Sequence, residues 1–253
     1  MAVNINSAYR VREILKTIST KPDKAQCNEV WAEVFKIEEA DASRKNFRIS
    51  RCLADLHDEV ELIRSEMLKL GFSPELYNQS LNSCNHIFAV QLVTSQWSSP
   101  KQHIKPEVLT ALGFCSEILP NEEELVDLTN LEELSKLSAE LKSSLANSVL
   151  PPYTIHIIEK HLNKIEEAIS KYRAVGSKAL EDVVQSAYGE VIANEEAFKE
   201  AKGSPELQKL AIMWQKTKSV LDGVVSADKR LGAAQGVAQK GNELLEFIQN
   251  INV

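Results

Sequence analysis

The chain is poor in the residues that interrupt helices. Nine glycines and eight prolines in 253 residues are too few for a fold of many short strands joined by tight turns. Alternating, β-branched runs are nearly absent as well, and the best of them, Tyr153–Ile158, is absorbed by a longer helical stripe. No stretch approaches 18 consecutive apolar residues, and the opening MAVNINSAYRVREILK lacks an apolar core of secretory-signal length. The expectation is a soluble chain in the cytoplasm with no membrane partner. Only four cysteines occur, Cys27, Cys52, Cys84 and Cys115, and none forms a Cys-x-x-Cys pair. That excludes the usual zinc-ribbon and thioredoxin-like spacings and predicts free, mostly buried thiols. Cations are outnumbered, 29 against 36 acidic side chains for a net charge of −7, which argues against broad nucleic-acid binding.

What is present is helical periodicity. Ile49, Leu53, Leu56, Val60, Ile63, Met67 and Leu70 alternate steps of four and three, placing seven apolar groups on one helical stripe, and Gly71 follows as a stop. Ile155, Ile158, Leu162, Ile165, Ile169 and Tyr172 repeat the pattern between Pro151-Pro152 and Gly176. Shorter helices are expected around Val11–Ile18 and Val30–Phe35, a long one over Pro74–Trp97, and a shorter one after Pro106. Others are expected after Thr129 and near 177–200, 205–223 and 227–251. Ser73-Pro74-Glu75 and Ser204-Pro205-Glu206 each read as a helix start, with a capping hydroxyl, Pro at the first helical position and a carboxylate at the positive dipole end. Asn121 with Glu124, and Thr129 with Glu132, have capping-box spacing and predict two further openings. Sustained 3/4 spacing favours lengthwise packing. The reading is an all-α, multi-helix bundle of about ten helices, several long and antiparallel. The Pro pair suggests two helical subdomains, 1–150 and 151–253, or else a tight corner within one continuous domain.

Catalytic signatures are missing. There is no Gly-x-Ser-x-Gly elbow, phosphate-cradling Gly-rich loop or dinucleotide fingerprint. His156 and His161 are five apart, and five residues turn a helix by about 500°, leaving the rings about 140° apart, so they cannot share one ion. No histidine has Glu three residues before it, as bundle di-iron sites require. His57 and Glu61 sit one turn apart, but Asp55, Asp58 and Glu59 beside them make this a charged helix face. Gly232 and Gly236 form a Gly-x-x-x-Gly pair in a segment kept aqueous by Gln235, Gln239, Lys240 and Glu243. No metal or cofactor is expected.

Two charge features remain. Arg44, Lys45, Arg48 and Arg51 are four cations in eight residues of an acidic chain, at the start of a helix, where the dipole disfavours them. They pair internally with Glu122–Glu124, Asp55 or Asp58, or they form a docking patch for an anionic partner. The second feature is the acidic, Leu-rich segment containing Glu122, Glu123, Glu124, Asp127, Glu132 and Glu133. It is either a solvated face or a surface that covers a basic groove, as inhibitors and immunity proteins do. The functional expectation is a non-catalytic helical interaction subunit, of inhibitor, immunity or accessory type, that binds another protein or itself through charged helix faces. The alternative is an enzyme whose active site is assembled from sequence-distant residues, with His57/Glu61 or Arg44/Arg48/Arg51 as its best candidates.

Overall fold

A computed structural model describes residues 4–124, 126, 128–224, 239–243 and 246, and of Leu128 the backbone. The named helices are α1 (Ser7–Ser19), α2 (Cys27–Phe35), α3 (Ala42–Lys69), α4 (Asn78–Ile87), α5 (Ser98–Lys101), α6 (Pro106–Ile118), α7 (Leu128–Leu145), α8 (Pro152–Val175), α9 (Lys178–Ala193), α10 (Glu195–Glu200) and α11 (Pro205–Val224). The chain is all-α, with no strand among the described residues; Gln26 and Gln96 make an isolated antiparallel bridge. Most of the helix expected over 227–251, with its Gly232/Gly236 pair, lies outside the described residues. The described residues fall into two compact units, 1–122 with 170–176 and 123–169 with 177–253. Pro151-Pro152 lies inside the second unit, at the turn between α7 and α8.

In the first unit, α1 packs on α6 and α3. The α3 stripe forms as its spacing requires. Ile49, Leu53, Leu56, Val60, Ile63 and Met67 are all buried, each adding about 1.5–3 kcal/mol relative to an exposed side chain. Asp41 caps this helix by accepting from the Arg44 N–H at 2.7 Å. Gly71, at φ 81°, ends it in a conformation that a β-carbon disfavours. Leu70 is the exception in the stripe, half exposed because it lies past the last turn. An aromatic cluster fills the unit's core: Trp31 stacks on Phe35 and meets Phe88 and Trp97 edge-on, at 5.6, 5.9 and 5.7 Å. All four cysteines are buried and free, as expected.

The long helix expected over Pro74–Trp97 is instead broken into a 3-10 turn at Pro74–Leu76, α4 and a second 3-10 turn at Val90–Leu92, and α5 starts only after Trp97. Two causes act. Asn and Ser crowd the segment and lower its helical propensity. Backbone bonds then hold residues 95–98 against the chain that leads into α2: Cys27 N–H to Ser95 O at 2.9 Å, Trp97 N–H to Ala25 O at 2.8 Å, and Ser98 N–H to Asp23 O at 3.0 Å. Those bonds deliver Trp97 into the core, where its indole N–H donates to Ile18 O at 3.2 Å. Accordingly Ser73 opens only a 3-10 turn and makes no side-chain cap. Ser204 does cap α11, accepting from the Leu207 N–H at 3.2 Å.

In the second unit, α11 packs on α7 and α9. The predicted region 177–200 divides at Asn194 into α9 and α10, with the Asn194 amide donating to Glu190 O at 2.7 Å. Asn121 and Glu124 do not open a helix. The Asn121 side chain accepts from the Ile5 N–H at 2.7 Å, a long-range bond that outcompetes the local cap. Thr129 is the second residue of α7 and not its cap.

Candidate functional site

The cationic cluster occupies the first turns of α3. Lys45 pairs with Glu29 at 2.9 Å, and Arg48 donates to Ser170 Oγ at 3.2 Å. These are different partners from the expected Glu122–Glu124, and Asp55 lies 3.4 Å from Lys171. Arg44 and Arg51 are exposed. Between them stands Phe47, a residue the charge pattern drew no attention to, 70% exposed. Taking Ile49 as the centre of the buried side, 100° per residue puts Arg44, Phe47 and Arg51 within about 60° of arc on the opposite side. The helix thus carries a packed stripe on one flank and a cation–aromatic–cation ridge on the other.

The acidic residues do not share one face. Glu122 belongs to the first unit and turns inward, accepting from Ser7 Oγ at 2.9 Å and from Arg10 at 2.7 Å. Glu123 is 3% exposed and accepts from the Ser177 N–H at 2.6 Å, at the start of α9. Glu124, Glu132 and Glu133 are exposed, and Glu133 is paired with Lys216. Asp127 lies outside the described residues.

The histidines part as the helical geometry demands. His156 is exposed and His161 is buried on the other side of α8. His57 is half exposed, 3.8 Å from Asp58, while Glu61 turns to Arg64 at 3.2 Å, so this pair is not brought together. No cluster of three metal-ligating side chains occurs among the described residues.

Two buried polar centres escaped the sequence reading. In the first unit, Arg10 is 8% exposed and donates to Glu59 and Glu122 at 2.7 Å each, and to Ala174 O at 3.2 Å. Asn6 stands beside it and is fully buried. Its side-chain oxygen caps α1 through the Tyr9 N–H, and its amide donates to Ser116 O and Leu119 O at 3.0 and 3.1 Å, tying the start of α1 to the end of α6. In the second unit, His161 has no exposed surface and meets Phe198 and Trp214 edge-on, at 5.5 and 5.8 Å. Neither ring nitrogen has a hydrogen-bond partner among the described residues. Burial pushes the imidazole down to about 4, against the pull of Glu190, whose Oε2 lies 4.0 Å from Nε2. Burial also raises Glu190, but Lys160 and Lys164, both 2.8 Å away, outweigh it and hold the carboxyl below its ordinary value. Both centres left a faint trace in the sequence: Arg10 lies one turn before Ile14, and His161 lies one turn from both Ile158 and Ile165, each a polar residue inside an apolar arc.

No protein-family model matches this sequence, and neither a curated protein nor a solved structure shows significant similarity to it.

The arrangement sorts the candidates. Arg10 is saturated by protein acceptors, and His161 is sealed from solvent, so both read as parts of the core. The ridge on α3 is the feature directed outward.

Proposed function

We propose that this chain is a non-catalytic helical subunit of accessory or inhibitor type that binds another macromolecule through the outward ridge of α3. The observation that carries the reading is Phe47, 70% exposed, with exposed Arg44 and Arg51 one turn to either side. An exposed apolar residue by itself is ordinary. A Phe ring framed by guanidiniums matches the aromatic and Arg composition that dominates the energetic centres of interfaces. Burying the ring against a partner is worth about 1.5–3 kcal/mol, and the arginines pair with carboxylates in bidentate geometry. A partner offering carboxylates beside an apolar surface fits this ridge, and the net charge of −7 disfavours a polyanion such as nucleic acid. A cytoplasmic setting suits four free thiols. No described helix is long and apolar enough to cross a membrane.

The test replaces the ridge and leaves the core alone. Arg44→Glu, Phe47→Ala and Arg51→Glu combined should keep the melting temperature of the wild type and lose the macromolecule that the wild type captures from cells. Capture undiminished by the triple variant contradicts the reading.

A further inference from the structure

We propose that the partner of this ridge is a second copy of the chain, docked antiparallel along α3; the inference rests on the interaction reading above and names its partner. The ridge continues beyond the cationic cluster. Phe47, Arg51, Ala54, Asp58 and Leu62 follow at steps of four, three, four and four, a second helical stripe on the same helix. At 100° per residue the five fall within about 80° of arc, opposite the buried stripe. All are exposed: Phe47 at 70%, Leu62 at 40%, the Asp58 side chain at 85%, and Arg51 and Ala54 in the exposed class.

The order along this stripe is aromatic, cation, small, anion, aliphatic. It is complementary to its own reverse. A two-fold axis passing between Ala54 and Asp55 sets Phe47 against Leu62 of the second copy and Arg51 against Asp58 of the second copy, and symmetry makes each contact twice. Ala54, the smallest residue of the stripe, sits at the axis, where two helix backbones approach most closely. Cations cluster in the first half of α3 and the stripe's carboxylate lies in the second half, so a parallel pairing opposes like charges and the antiparallel one joins unlike charges. An unrelated acidic partner would need no such two-fold pattern, whereas a second copy requires it. One helix pair supplies less than the roughly 1,200–2,000 Å² of a standard stable interface, so the dimer is reversible and concentration-dependent.

Cross-linking and charge exchange test this together, on the full chain. The native cysteines are buried, so Ala54→Cys introduces the exposed thiol. Under a mild oxidant it should yield a disulfide-linked dimer, because the two copies of position 54 meet at the axis. Ser65→Cys, also exposed, should not, because antiparallel docking holds its two copies about 30 Å apart at 1.5 Å rise per residue. In sedimentation velocity, Asp58→Arg and Arg51→Asp should each weaken dimerisation by about tenfold or more, since each opposes like charges. The double exchange Arg51→Asp with Asp58→Arg should restore it. A wild type that stays monomeric at every concentration, equal cross-linking at positions 54 and 65, or a double exchange no better than the single ones overturns the proposal. If the dimer fails while the ridge triple variant still loses its captured macromolecule, the second copy is the wrong partner and the interaction reading stands. If capture is also unaffected, both fall.

Discussion

Arg10 and His161 are both buried ionisable groups, and the two units accommodate them in opposite ways. The first unit keeps its guanidinium charged and surrounds it with two carboxylates and a backbone carbonyl. The second encloses an imidazole among Phe198 and Trp214, where burial drives it to the neutral form. A charge that cannot be shed must be matched, because an unpaired ion in low dielectric costs several kcal/mol. A group with an ordinary value near neutrality simply gives up its proton. The first solution is sensitive to loss of a partner and the second to acid.

The largest effect should come from unpairing the first centre. Arg10→Met leaves Glu59, 4% exposed, without its cation, and should cost about 3–5 kcal/mol in denaturant unfolding. Adding Glu59→Met should recover much of that loss, which would separate the penalty of an orphaned charge from the worth of the pair.

Acid should act on the second centre. The folded imidazole sits near 4 and the unfolded one near 6.5, so below pH 6.5 the unfolded chain binds the proton first. Stability contributed by neutral His161 is present above pH 6.5 and drains away down to about pH 4, at about 1.4 kcal/mol per pH unit and about 3 kcal/mol in all. Unfolding followed by tryptophan fluorescence across this range checks it, and His161→Phe should flatten the dependence.

Helix caps should matter less. Asp41→Ala or Ser204→Ala removes one side-chain acceptor from a helix start and should cost about 1 kcal/mol in thermal unfolding. Phe47→Ala should be nearly silent in the same assay, within about 0.5 kcal/mol, because its ring is exposed. A large loss there would mean that the residue supports the fold and not an interaction.

Local periodicity makes the long helices readable in the sequence. The stripe from Ile49 to Met67 is buried throughout because steps of four and three can put six apolar groups on one side only if the chain is helical. The broken segment between Pro74 and Trp97 was not readable, because what breaks it is pairing with residues 23–27, far away in sequence. Distance hid the Arg10 centre in the same way: Glu59 and Glu122 lie 49 and 112 residues away. The cationic patch was visible as charge. Phe47 within it carries no such signal, because an isolated aromatic has no periodic signature until its neighbours' exposure is known. Glu122 and Glu123 looked like surface residues by composition, yet both serve helix starts, at Ser7 and Ser177.

If α3 docks on a second copy, the residues of its outward stripe meet another molecule in solution and those of its buried stripe do not. Amide chemical shifts of the isotopically labelled chain, recorded as its concentration is raised, report this residue by residue. Changes are expected at Phe47, Arg51, Ala54, Asp58 and Leu62, with Leu53, Leu56 and Val60 on the buried side little affected. Shifts that stay constant at every concentration, or that move together on a different surface, would contradict it.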